Sequence, residues 1–179
     1  MEVIEAIKTR RSIRKFKQEK VSKDILEQIV DVSRYSPSWC NGQIARYTFI
    51  DNKEIIEKIT NNALREFSFN QRTLSKAPGL LVLTYVNGVS GRYKDIKIDN
   101  ASEWEMFDSA IACQNFCLAA HNYNIGTCIF GIFDSEEIKK IIKIEDNETI
   151  AALIVYGYKE SDLQIPKRLD VEKISRFIN

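Results

Sequence analysis

The chain has 179 residues, 44% apolar and 28% charged, a balance that excludes a disordered segment and suffices for a buried core. Its 26 basic and 25 acidic side chains leave a net charge of +1, which argues against a general nucleic-acid binder. The longest apolar run, near Leu80–Leu83, is too short for a bilayer, and the acid-bearing start MEVIEAIKTRR lacks the apolar core of a secretory signal.

Four cysteines (Cys40, Cys113, Cys117, Cys128) with no CxxC pair and no export signal read as reduced thiols of a cytoplasmic protein. Along the chain, Val3, Ile4 and Ile7 share one face of a short helix. That helix leads into RRSIRKF, Arg10 to Phe16. If this stretch is extended, Arg10, Ser12 and Arg14 point to one side, because strand side chains alternate. Composition leaves two readings open: a solvated basic surface, or a seat for a phosphate ester made of guanidinium forks and a hydroxyl.

Ser22 is a good N-cap for a helix whose apolar face is Ile25, Leu26, Ile29, Val30 and Val32. It stops before Ser36-Pro37, because proline disfavours helical geometry in the residue ahead of it. The loop SPSWCNGQ follows, either a simple helix-terminating turn or a set of hydroxyl, amide and aromatic groups for the polar edge of a planar cofactor. A strand is predicted over Tyr47–Ile50. A helix then runs from Asn52 to about Phe67, with Ile55, Ile56, Ile59, Ala63 and Leu64 inward. Pro78-Gly79 precedes a buried strand, Leu80–Val86, and Asn87–Asn100 reads as a lid-like excursion. A long apolar helix spans about Glu103–Tyr123, followed by a strand at Thr127–Phe133. Asp134 opens a helix to about Ile142, Ile150–Tyr158 is a further strand, and a charged tail carries Pro166-Lys167-Arg168. The class is α+β.

Cys113, Cys117 and His121 fall at i, i+4, i+8, but at 1.5 Å per residue the outer pair lies about 12 Å apart, too far to share one ion. Core packing is the better reading for both thiols. His121 is the sole histidine, and GxSxG, GxGxxG and P-loop signatures are missing. Any nucleotide-like phosphate is therefore held by side chains. Lys167 and Arg168, read alone, are an ordinary solvated pair.

In this order, RRSIRKF, SPSWCNGQ, Asn70 ahead of Gln71-Arg72, the segment Gly126 to Phe133, and Pro166-Lys167-Arg168 resemble the motifs of the nitroreductase-like flavoprotein family. The resemblance spans nearly the whole chain. It implies one FMN-binding domain over residues 1–179, a central, mainly antiparallel sheet flanked by helices, and an intertwined homodimer with two FMN sites at the interface. It further implies that Arg10, Arg11 and Ser12 hold the phosphate and ribityl chain, with Lys167 and Arg168 closing on the phosphate. Arg14 would lie by the flavin pyrimidine edge and Asn70 at the ring's polar edge, with Phe130 and Gly131 offering backbone groups near N5. Pro37, Ser38, Trp39, Asn41 and Gln43 would come from the partner subunit. The implied activity is hydride transfer from NADH or NADPH through flavin N5 to a small acceptor, a nitroaromatic, quinone or flavin. No single catalytic residue, metal, nucleic acid or membrane partner is implied, and a low-turnover flavin sensor or carrier is the alternative. Two departures stand out: Ile44-Ala45 where many relatives have Pro-Trp, and Thr73 where some place a flavin-facing lysine.

Overall fold

The computed structural model describes residues 1–64, 67–94 and 96–178. Its frame is a four-stranded, fully antiparallel sheet in the order β1-β2-β6-β5, formed by Ala45–Ile50, Gly79–Val86, Glu148–Tyr158 and Ile125–Phe130. β2 and β6 occupy the centre, and both their faces are covered. Leu80, Val82, Leu153 and Val155 point into one apolar cluster, while Leu81, Leu83, Ile154 and Tyr156 point into a second. This is why these two strands read as continuous apolar runs and not as alternating ones.

On the first face lie α3 (Lys53–Asn62), α4 (Ser68–Leu74) and α6 (Ser135–Ile141), which contribute Ile56, Ile59, Leu74 and Ile138. The second is covered by α2 (Lys23–Ser33) and α5 (Ala101–Asn122) through Leu26, Ile29, Cys113, Phe116, Cys117 and Ala120. The α+β class and the antiparallel sheet between helices agree with expectation. Among the described residues, no helix is long and apolar enough to cross a membrane.

Local chemistry sets the helix starts. The Ser22 hydroxyl accepts from Ile25 N, the Asn52 side chain from Glu54 N and Ile55 N, and Asp134 from Glu136 N and Glu137 N. The predicted helix to Phe67 is instead two: α3 ends at Asn62, Asn70 lies on α4, and positions 65 and 66 lie outside the described residues. Val32 does not join the buried face of α2 and is 52% exposed. The 87–100 excursion forms a small hairpin of β3 (Arg92–Tyr93) and β4 (Ile96–Lys97), with position 95 outside the described residues. Gly88 and Gly91 take left-handed φ values of 77° and 70° at its turns.

The apolar face of α1 (Val3–Thr9) exists, but this chain does not cover it: Val3, Ile4 and Ile7 are 54–70% exposed. After β6, every residue from Glu160 to Ile178 is exposed except half-buried Ser175, a single turn α7 (Val171–Ile174) included.

Candidate functional site

The basic stretch is an extended segment fastened to the sheet. Ser12 forms a parallel bridge with Thr127 of β5, and Ile13 N donates to Thr127 O at 2.8 Å. Further on, Phe16 bridges Lys159, and Lys17 N donates to Tyr158 O at 2.9 Å. Ile13 and Phe16 are buried in the first apolar cluster, which leaves Arg10, Arg11 and Ser12 half-buried and Arg14 exposed. Close approach depends on Gly126: a Cβ there would come within 2.7 Å of the Ile13 side chain.

The arginines divide their work. Arg11 caps α1, its Nη1 donating to Arg10 O and its Nη2 to Lys8 O, both at 2.5 Å, a favourable place for a cation at a helix C-terminus. Its Nε is buried and, among the described residues, has no hydrogen-bond partner. Arg10 lies close enough to Cys113, Cys117, Cys128 and His121 to act on them electrostatically. Arg14 reaches the other way, its guanidinium 5.4 Å from the Phe69 ring centre on α4.

His121 stands behind this segment. Thr9 Oγ1 donates to Glu5 O at 2.7 Å, so at the 2.9 Å contact with His121 Nε2 the ring nitrogen is the donor. Burial, then the Lys159 and Arg10 charges, hold the His121 pKa below its ordinary value. Cys113 is pushed up by its hydrogen bond with Cys117 and by burial, and both thiols are buried in the second apolar cluster.

The Ser36–Gln43 loop is a second construction. Its backbone is left-handed at Cys40, Asn41 and Gln43 (φ 46°, 56°, 49°), none of them glycine, and such residues cluster at functional sites at a cost of about 1–3 kcal/mol each. Ser38 Oγ accepts from Gln43 N at 2.9 Å and closes the turn. Trp39 N donates to Asp108 Oδ2 at 2.9 Å, its Nε1 to Arg92 O at 2.5 Å, and its ring meets Trp104 edge-on at 4.8 Å. Pro37, Asn41 and Gln43 are exposed, while Ser38 and Trp39 are half-buried.

A third set surrounds the end of β5. Phe130 is buried, but Gly131 borders open space: among the described residues, its chain neighbours aside, no atom lies within 4 Å of a Cβ placed there. Asn70 is 8% exposed, so only its edge is reachable from outside. Thr73 is buried and turns its hydroxyl back to Phe69 O, so it offers a cofactor nothing. Ile44 is buried and Ala45 opens β1, so this departure from the family pattern forms the root of the loop and not its exposed tip.

One chain therefore assembles Arg10–Ser12, the β5 end, Arg14 and α4 in one region, and the Ser36–Gln43 loop in another. From Asp108, which anchors the loop, to Cys117, beside Arg10, α5 advances about 14 Å. Lys167 and Arg168 lie in the exposed tail after β6. Sequence reading missed Asp108 and Glu105, although two acids one turn apart in an apolar helix are a legible signal of buried polar work.

Residues 7–158 match the sequence pattern of the nitroreductase family. The chain belongs to that family. A candidate NADH dehydrogenase/NAD(P)H nitroreductase of Methanothermobacter thermautotrophicus is 28% identical over 182 residues, covering 97% of this chain and 88% of that protein. An NADH dehydrogenase of Thermus thermophilus is 26% identical over 191 residues, covering 92% and 90%. Among solved structures, a nitroreductase family protein of Clostridium novyi is 28% identical with a TM-score of 0.78, covering 89% of this chain and 86% of that one. A candidate nitroreductase of Exiguobacterium sibiricum, solved in complex with FMN, shares the fold with a TM-score of 0.86 at 20% identity, covering 99% and 98%.

Proposed function

We propose that this chain is one FMN-binding domain and acts as a homodimeric NAD(P)H oxidoreductase that reduces small electron acceptors such as nitroaromatics, quinones or flavins. The observation that carries the reading is a cradle of fitting chemistry on a nitroreductase-family chain. At one end sits the buried, unpartnered Nε–H of Arg11 beside Arg10 and Ser12; at the other is the open space past Gly131. Thr127, which bridges Ser12, and Gly131 are four residues apart along the chain, about 13 Å if extended, so the two ends of the cradle lie along one strand direction.

In this reading Arg10 and Ser12 hold the phosphate by charge-assisted hydrogen bonds, and Arg11 adds its Nε–H and its charge, since both Nη atoms are engaged by α1. Arg14, steadied over Phe69, places a cation by the ring's pyrimidine edge, where added electron density is stabilised. Asn70 presents its edge to the ring, and Phe130 and Gly131 present backbone groups near N5. The chemistry that bound FMN would supply is hydride uptake at N5 from NADH or NADPH and delivery of electrons to the acceptor.

A second copy is needed because Pro37, Ser38, Trp39, Asn41 and Gln43 stand apart from the basic segment of their own chain. Two α5 helices packed antiparallel bring the loop of one copy to the basic end of the other. Exposed Met106 and Phe107 on α5, Val3, Ile4 and Ile7 on α1, and Leu163, Ile165, Leu169 and Val171 in the tail supply apolar surface for that packing. The tail's alternation also suits pairing with the open outer edge of β1, and it carries Lys167 and Arg168 toward a phosphate.

Purified protein should be yellow, and anaerobic NADH or NADPH should bleach its flavin. Bound flavin that stays oxidised would make the chain a redox carrier or sensor, and protein that takes up no FMN would sink the proposal.

A further inference from the structure

We propose that Asp108 is a positioning residue that locks the Ser36–Gln43 loop and the 87–93 excursion into one body, so that cofactor hold and acceptor access change together. The inference rests on the reading of that loop as part of an FMN site. Asp108 Oδ2 accepts from Trp39 N at 2.9 Å and from Ser90 Oγ at 2.5 Å, so one oxygen joins two segments far apart in sequence. Asp108 is 4% exposed and Ser90 is fully buried.

Two further contacts tie the same two segments, and a third ties the excursion to α5. Trp39 Nε1 donates to Arg92 O, and a Cβ on Gly42 would sit 2.9 Å from Val89 Cγ1, so loop and excursion interlock. One helical turn earlier, Glu105 Oε1 accepts from Gly88 N. A carboxylate withdrawn from water is tolerated only when its hydrogen bonds are made. Two of them on one face of an apolar helix are not what packing alone would select, because alanine at either position buries at no such cost.

The loop needs an external anchor. Of its left-handed residues, Cys40 and Gln43 do not adopt that geometry by local preference, and Asn41 alone is of a type that favours it. Ser38 closes the turn from inside, and Asp108 fixes it from outside. Asp108 receives its hydrogen bonds from Trp39 N and Ser90 and not from exposed Pro37, Asn41 or Gln43, so it acts through the loop's shape and not on the cofactor.

The decisive variant is Ser90→Ala, which removes one donor to Asp108 from the excursion side and leaves the loop's own residues intact. Hydrogen exchange on the flavin-free protein should quicken in residues 39–43 as well as 88–92. In the flavin-loaded protein, FMN affinity should fall about tenfold, as expected for one hydrogen bond to a charged group, and acceptor KM should rise more than kcat falls. Asp108→Ala should exceed this effect, with Asp108→Asn, which keeps an acceptor oxygen, in between. If Ser90→Ala lowers Tm while FMN affinity, acceptor KM and exchange at 39–43 stay at wild-type values, Asp108 is merely structural and the proposal is overturned. The exchange experiment needs no flavin and so judges the lock separately. Wild-type protein that takes up no FMN removes the cofactor role, and faster exchange confined to 88–92 removes the lock.

Discussion

The two ends of α5 organise their surroundings by opposite means. The first half buries two carboxylates, Glu105 and Asp108, and uses them to hold loops from elsewhere in the chain by individual hydrogen bonds. The second half buries Cys113, Phe116, Cys117, Ala119 and Ala120 against the sheet, while the cationic segment outside it is pinned by strand pairing and by Ile13 and Phe16 in the core. Polar anchors can be released one at a time; a segment tied into a sheet moves only with the sheet. The basic end is thus the preorganised half of the proposed site, and the carboxylate end the adjustable half.

The largest expected effect comes from separating the halves. Removing everything after Asp162 should convert a dimer to a monomer by sedimentation and leave protein that no longer retains FMN. A truncated chain that still sediments as a yellow dimer would show that the tail plays no part in joining the two ends. Next is Arg10→Ala at the preorganised end. Loss of one charged contact in a desolvated seat should weaken FMN binding about thirtyfold to a thousandfold by titration, and unchanged affinity would reduce Arg10 to surface charge.

A pair of glycine variants sharpens the contrast between frame and site. Gly126→Ala drives a methyl into Ile13 and should lower unfolding free energy by about 1–3 kcal/mol. Gly131→Ala meets no described residue within 4 Å beyond its chain neighbours, so its denaturation midpoint should stay put while FMN affinity changes. Equal stability losses in the two would refute this division.

The smallest effect concerns His121. Its folded-state pKa lies below the ordinary 6.5, so acid protonates the unfolded chain preferentially. The stability contributed by the neutral ring is complete above 6.5 and declines as pH falls below it. The denaturant midpoint should therefore drop on going from about pH 7.5 to about 5.5, and drop less in His121→Gln. Bound phosphate, by offsetting Arg10 and Lys159, should shrink the wild-type loss. A midpoint that rises on acidification would contradict the assignment.

Much of the frame was legible because its signals are local. Ser22 and Asn52 cap helices where expected, and the apolar runs of β2 and β6 announce strands buried on both faces. The division between α3 and α4 was hidden because Ala63 and Leu64 keep the apolar rhythm past Asn62, where the helix has already ended. The two-residue strands β3 and β4 are too short to carry a period. For the site, the motif strings were readable but their grouping was not. No spacing rule tells that Arg11 turns back onto α1, that Thr73 faces inward, or that Trp39 hangs on Asp108. Those outcomes depend on contacts between residues far apart in the chain.

The strand order has a consequence for how the chain is made. β6 lies between β2 and β5 yet is the last of the four to leave the ribosome. β2 ends at Val86 and β6 at Tyr158, so 158 − 86 = 72 residues must be added before the sheet closes. At roughly 5–20 residues per second, this takes about 4–14 s. For that interval the nascent chain shows Leu80 to Leu83 with one edge unpaired, a segment suited to wrong partners. A cell making this protein quickly therefore depends on holding the β1–β2 pair apart from its neighbours until the final strand arrives.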